Sequence, residues 1–450
     1  MNIQEEIIQM KEELLSDLAA LVAVPSVMDE TSKSENAPFG KEVRKAFDIF
    51  LSIAERLGFT VHDDEGYAVD AQIGEGEEYV GVLGHLDVVE ARGQSGWKSD
   101  PFTMKREGNM LYGRGVNDDK GPLLAALYAA YLIKKQGLSL KYPIRIIAGG
   151  AEETTWECMQ HYFKKNQQPI CGFSPDGNFP IVNGEKGILQ FRFIFPAVEG
   201  VRFHCSQRTN YVCDDLQVIL PASCGNYPNA KQKEERKQGF YLHYQGKKAL
   251  SRNPQRGENA VFSFLKDIDD SKQLPKGLES MIWMLKECFE DDFYGEKSHL
   301  ASEDAAMGRN SVCVMSINDC FEGIEVCVDV RYVKSTTKEQ LWQQITALAK
   351  RYHAQAEIIR EKRLLYVEED SPLIQALQKA YQKVMHEKAE VFTKGGASYA
   401  RMLDHGVAFG ATFDGEDTHV HMENECQKID SLLKAFEIYY ESLYELAVEK

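Results

Sequence analysis

Positive charge is what this 450-residue chain has least of: 52 Lys and Arg stand against 69 Asp and Glu, a formal charge of −17. That sign argues against binding nucleic acid or an anionic membrane surface, both of which need a basic face. It leaves open a local basic pocket for a small substrate. Long apolar runs are also missing. The longest, residues 123–133, is far short of the roughly 20 residues that cross a bilayer. The ten cysteines contain no Cys-x-x-Cys pair and no regular spacing, which suits reduced thiols in a cytoplasmic protein better than a disulfide framework. The opening Met-Asn-Ile-Gln-Glu-Glu lacks the basic-then-apolar layout of a signal peptide. No internal repeat and no low-complexity segment interrupts the chain. A soluble cytoplasmic protein is expected, long enough for two domains.

What is there begins with helical periodicity. Ile7, Met10, Leu14, Leu18 and Leu21 share one face of a helix that Pro25 ends. A second amphipathic helix carries Val43, Phe47, Phe50, Ala54 and Leu57 to Gly58. Residues 59–73 alternate as a strand pair, and an apolar run from Tyr79 reads as a buried strand. Residues 123–133 are apolar nearly all round, hence a buried helix. Residues 143–148, 154–163 and 170–174 continue a strand–helix–strand rhythm. After Gly187 the pattern changes to strands at 188–195, 239–244, 311–318 and 323–332, with helices at 260–266, 277–289 and 338–352. That is the signature of an antiparallel α+β unit. Residues 373–385 and a long segment from Ile429 are helical again.

Metal-ligand residue types recur just past apolar or glycine-rich runs. His85 and Asp87 close the first such run, and Asp118-Asp119 sit in a glycine-flanked turn. Glu152-Glu153 follow Ile-Arg-Ile-Ile-Ala-Gly-Gly, Asp176 follows Cys-Gly-Phe-Ser-Pro, and His419 and His421 lie near the end. Open α/β sheets build sites at the C-terminal ends of their strands. His85 can bind a metal through one ring nitrogen while Asp87 holds the other. Adjacent carboxylates point apart, so one of Asp118-Asp119 can bridge two cations. Likewise one of Glu152-Glu153 can ligate while its neighbour acts as general base. Asp176 in Ser-Pro-Asp-Gly reads, alone, as a turn. Carboxylates with imidazoles suit zinc, with manganese or cobalt as alternatives, and such a pair activates water for amide hydrolysis. A ligand as late as His421 means that the C-terminal segment completes the first domain. The expected organisation is 1–187 and 368–450 as one catalytic domain, with 188–367 inserted.

In these motifs the chain resembles the aminoacylase, carboxypeptidase G2 and succinyl-diaminopimelate desuccinylase superfamily of co-catalytic metallopeptidases. It is most similar to the bacterial carnosinase-like dipeptidases. The resemblance rests on Gly84-His85-Leu86-Asp87, Gly113-Arg114-Gly115 through Asp118-Asp119-Lys120-Gly121, Glu152-Glu153, Ser174-Pro175-Asp176, Asp329-Val330-Arg331, Gly395-Gly396-Ala397-Ser398 and His421-x-x-Asn424-Glu425. It implies an α/β, phosphorylase/hydrolase-like catalytic domain with a mixed central sheet and an inserted α+β lid whose hinge motion closes the site. It also implies two divalent metals. His85, Asp118 and Asp176 would hold one; Asp118, bridging across a cis peptide, would hold the other with Glu153 and His421. Asp87 would clamp His85, and Glu152 would be the general base. Arg331 and the turn Gly395, Gly396, Ala397 and Ser398 would grip the substrate's carboxylate, with Asn210 near the scissile carbonyl. A small peptide or an N-acyl amino acid is the implied substrate, and the protein is a monomer or a lid-mediated homodimer.

Two positions depart from that pattern. Where the family's lid carries a His that donates to the developing oxyanion, this chain has Leu250, followed by Ser251-Arg252-Asn253-Pro254; and Cys213 stands in place of a Pro. Losing one oxyanion donor costs about 10²–10³ in rate. The expected function is therefore a dipeptidase, with two alternatives: an N-acyl amino acid deacylase, or a metal-binding homologue with weak or no activity. Lys394 and Arg252 are the candidates for a substitute donor.

Overall fold

The computed structural model describes residues 3–206, 210–221, 226–236, 239–268 and 274–449. The chain divides into two compact units. The first comprises Met1–Gly184, Leu365–Phe392 and Ser398–Lys450, and the second Glu185–Leu364 with Thr393–Ala397.

A mixed sheet runs through the first unit in the order Thr60–Asp64, Ala68–Ile73, Ile144–Gly149, Val80–His85, Cys171–Ser174, Gly406–Ala408, Ile181–Glu185 and Leu365–Tyr366. Val80–His85 is central, and every residue of it is buried, which is why it reads as a continuous apolar run rather than as an alternation. It is parallel to Ile144–Gly149 on one side and to Cys171–Ser174 on the other. The helix Lys120–Lys135 packs on these strands and against the helices Ile3–Val22 and Ile429–Ala447. Covered on all sides, it buries residues all round its axis. Its first residue, Lys120, is fully buried and spends its ammonium on the carbonyls of Leu21 and Val24, at 3.0 and 2.9 Å. That bond ties the end of the first helix to the start of the buried one. Burial without an anionic partner in contact pushes the Lys120 amine down to about 7.

Among its described residues the second unit holds two four-stranded antiparallel sheets and a short antiparallel ladder of Glu303–Asp304 with Gly308–Arg309. One orders Ser311–Cys320, Gly323–Tyr332, Gly187–Phe195 and Gln355–Lys362; the other orders Arg202–His204, Asp215–Leu220, Gly239–Gln245 and Gln232–Arg236. Leu189, Phe191, Phe193, Val326 and Val328 share a core with Met281, Leu285 and Leu348 from its helices.

One expected helix starts late. Instead of beginning at Thr154 it spans Glu157–Lys165, with Trp156 before it in the left-handed region at φ 63°. The Asp87 carboxylate takes the backbone N–H groups of Glu152 and Glu153, both at 3.1 Å, so this stretch is folded into a turn rather than a helical first turn.

Candidate metal centre and active site

Parallel pairing decides where the site forms. His85 lies opposite Gly149 in the ladder, so the segments that follow both strands emerge at one edge of the sheet. Glu152-Glu153 follow one strand, and Asp176 follows Cys171–Ser174, parallel on the other side. The loop preceding Lys120–Lys135 brings Asp118 to that edge, with a cis peptide between Asp118 and Asp119.

Asp118 faces both ways. Its Oδ1 is 3.1 Å from His85 Nε2 and its Oδ2 is 2.9 Å from His421 Nε2. His421 Nε2 also meets Glu153 Oε1 at 3.0 Å. Three overlapping groups each bring their ligand atoms within 4.8 Å: His85 with Asp118 and Asp176, Asp118 with Glu153 and His421, and His85 with Glu152 and Glu153. His419 belongs to none of them; its Nε2 is 3.6 Å from Asp417. The geometry thus separates the two histidines that the sequence left open.

Protonation follows from this crowding. The Asp118 and Glu153 carboxylates push the His421 imidazole up to about 11. Burial, then the Asp118 charge, pushes the Glu153 carboxyl up to about 7. Burial works against the Asp118 carboxylate, but bonds from His421 and His85 outweigh it and hold it below the usual range. Converging carboxylates in a buried site repel one another unless positive charge is placed among them. A divalent cation would supply that charge, and the donor set of imidazole nitrogens and carboxylate oxygens fits zinc, manganese or cobalt.

Several supporting residues were not assigned these roles by sequence reasoning. His85 Nδ1 lies 2.9 Å from the backbone carbonyl of Asp87 and 3.4 Å from its carboxylate. Asp87 therefore orients the imidazole chiefly through its main chain, while its carboxylate holds the Glu152-Glu153 backbone. Asp119, fully buried, accepts the His85 N–H at 3.3 Å. Tyr399 packs edge-on against the His85 ring at 5.9 Å. It also explains a glycine, since a Cβ on Gly149 would fall 2.1 Å from its hydroxyl. A cavity of about 360 Å³ opens beside Asp118 and Asp176, lined also by Asn117, Thr412, Asp417 and His419.

The remaining expected residues, Ser398 apart, gather in the second unit. Arg331 donates from Nε to Asp329 at 2.8 Å, from one terminal nitrogen to the Asn210 side-chain oxygen at 3.3 Å and from the other to the Gly395 carbonyl at 3.4 Å. Gln190 donates to the same Asn210 oxygen at 2.7 Å. Asn210 has φ 74°, a left-handed conformation that Asn tolerates. Gly396 and Ala397 continue the turn, and Ser398 is buried in the first unit. Leu250 pairs with Tyr211 in an isolated bridge and is 38% exposed.

Residues 81–445 match the model of peptidase family M20/M25/M40. The chain belongs to that family. This M20 peptidase is 31% identical over 468 aligned residues to "Putative dipeptidase YtjP" of Bacillus subtilis (strain 168), covering 99% of this chain and 100% of the relative. It is 32% identical over 470 residues to "Putative dipeptidase SH1171" of Staphylococcus haemolyticus (strain JCSC1435), covering 99% of both. Its fold is that of human carnosine dipeptidase 1, with a TM-score of 0.58, 17% identity and 98% of each chain covered. It is likewise that of the aminoacylhistidine dipeptidase of Vibrio alginolyticus, with a TM-score of 0.62, 13% identity and 97% of each covered. Among the described residues of the M20 peptidase, no helix is long and apolar enough to cross a membrane.

The loop carrying Asp118 in this peptidase depends on Glu425, which is fully buried. Its carboxylate accepts the N–H groups of Gly115, Asn117 and Asp118 at 3.0, 3.0 and 3.1 Å and pairs with Arg114 at 2.8 Å. Arg114 in turn stacks over Trp97 at 5.2 Å. Glu425→Gln leaves a buried guanidinium without its counter-charge. Urea denaturation should show a loss of about 3–5 kcal/mol, the usual cost of breaking such a pair. A loss below 1 kcal/mol would mean the loop is held by other contacts.

Proposed function

We propose that this M20 peptidase is a metal-dependent dipeptidase that cleaves a small amide with a free C-terminal carboxylate. The observation that carries the reading is Asp118, whose two oxygens face His85 and His421 from opposite sides while Asp176 and Glu153 complete a ligand group on each. His85, Asp118 and Asp176 would hold one divalent cation, and Asp118, Glu153 and His421 would hold the other, with zinc the best fit. When bound, such a pair polarises the scissile carbonyl and makes water a nucleophile near neutral pH.

The chain's own groups do the rest. Glu152, fixed at the site by its backbone bond to Asp87, takes the proton of the attacking water. The new C–O bond forms, the C–N bond breaks, and Glu152 returns the proton to the leaving amine. To Arg331 and the turn at Gly395, Gly396, Ala397 and Ser398 we assign the substrate's carboxylate, and to Asn210, hydrogen-bonded by Arg331 and Gln190, a contact to the substrate. The dipeptidase names of the relatives that align over almost the whole chain support this substrate class.

Hydrolysis by the zinc-loaded protein of a panel of dipeptides and N-acyl amino acids tests the reading. Dipeptide cleavage is expected. Cleavage of acyl amino acids alone would make the enzyme a deacylase. A second reading, a metal-binding protein with little activity, is favoured by Leu250, which cannot donate a hydrogen bond. Leu250→His supplies a donor at the position where the family places one, and should raise kcat on the order of 10²-fold. An unchanged kcat would show that another group already serves the oxyanion.

A further inference from the structure

A second guanidinium adjoins the first. Arg252, exposed, lies along the Gly395-Gly396 turn: a Cβ on Gly395 would be 3.4 Å from its Cδ, and one on Gly396 would be 3.0 Å from its terminal nitrogen. Two residues without side chains thus let its head approach the backbone at the turn that also receives Arg331. The two differ in occupation. Arg331 has all three nitrogens engaged, by Asp329, Asn210 and Gly395. Among the described residues no carboxylate pairs with Arg252; partial burial of its head, and then the like charge of Arg331, lower its affinity for its proton.

Asp329 balances Arg331, which leaves Arg252 as the uncompensated charge beside it, and a like charge held so costs free energy unless an anion comes to it. A guanidinium fork matches a carboxylate in two parallel bonds. The spare N–H groups of Arg331 already suffice for one carboxylate, so the full set on Arg252 is surplus to a substrate with only an α-carboxylate. In a chain with a charge of −17, such a surplus of local positive charge calls for an anionic partner.

We propose that Arg252 is a specificity residue that reads a second carboxylate, on the side chain of the substrate's C-terminal residue. The preferred substrates are therefore dipeptides ending in aspartate or glutamate. This rests on the dipeptidase reading for which end of the substrate meets the glycine turn.

The test is kcat/KM for Ala-Glu, its uncharged isostere Ala-Gln, and Ala-Leu, with the zinc-loaded full chain and its Arg252→Gln and Arg252→Lys variants. Calorimetric binding of glutamate and glutamine accompanies it. The wild type should favour Ala-Glu over Ala-Gln by about tenfold or more, a charged hydrogen bond's worth, carried by KM. Arg252→Gln should bring the ratio near one, and Arg252→Lys should keep part of it. Equal rates on Ala-Glu and Ala-Gln in the wild type would overturn the proposal. So would an Arg252→Gln variant that slows all three dipeptides alike, which would make Arg252 a general carboxylate or oxyanion contact. If no dipeptide is cleaved, the dipeptidase reading fails on its own. Binding then decides: glutamate held more tightly than glutamine, with the difference lost in Arg252→Gln, supports the second-carboxylate pocket, and equal binding overturns it.

Discussion

Glu152→Gln should lower kcat for dipeptide hydrolysis by about 10²–10⁴-fold, the range a positioned general base contributes, with metal content and melting temperature unchanged. Gln keeps the size of the side chain and the backbone bond from Glu152 N to the Asp87 carboxylate at 3.1 Å, so only the proton acceptor is removed. Metal analysis of the variant matters as much as its rate. Glu152 shares a ligand-sized group with His85 and Glu153, and a variant that loses a metal along with its activity would make Glu152 a ligand instead of the base. A variant with the wild-type kcat would mean that the water's proton goes elsewhere.

The second large effect is expected at Asp118. Its two oxygens are the only ones that meet both His85 and His421 at bonding distance among the described contacts, 3.1 and 2.9 Å. Asp118→Ala removes a donor from both ligand groups at once, so hydrolysis should be abolished. Zinc should no longer raise the melting temperature. A ligand at a thousandfold excess over its Kd stabilises the native state by about 4 kcal/mol, so the wild-type shift is easily read. In the metal-free state the variant should lose far less, because removing Asp118 also relieves its repulsion of the Glu153 carboxyl, which burial and that charge hold at about 7. A variant that still binds two zinc ions would place the bridge on another residue.

Much of this centre is visible in the sequence because parallel strands announce themselves as unbroken apolar runs and deliver whatever follows them to one edge. His85, Glu152-Glu153 and Asp176 each come directly after such a run, and the structure brings them together with Asp118 and His421. The helical faces of Ile3–Val22 and Lys41–Arg56 were legible for the same local reason, since Leu14, Leu18, Phe47 and Phe50 recur at helical spacing and are buried. What periodicity does not carry is pairing at a distance. Asp87 meets the Glu152-Glu153 backbone across 65 and 66 residues, and that contact, absent from any local pattern, moves the start of the next helix from Thr154 to Glu157. Glu425 reaches back more than 300 residues to the Asp118 loop. The same holds for residues 393–397, whose contacts join them to the second unit although the chain around them belongs to the first. His419 and His421 are alike in spacing and separate only when the loop's conformation is known.

The most direct test of a two-cation dipeptidase is a titration. Protein stripped with a chelator is reloaded with zinc in fractional equivalents while dipeptide cleavage is followed. Activity absent at zero, rising with added zinc and reaching its plateau at two equivalents per chain is the predicted result. Full activity in the stripped protein, or a plateau at a single equivalent, would contradict the arrangement built around Asp118.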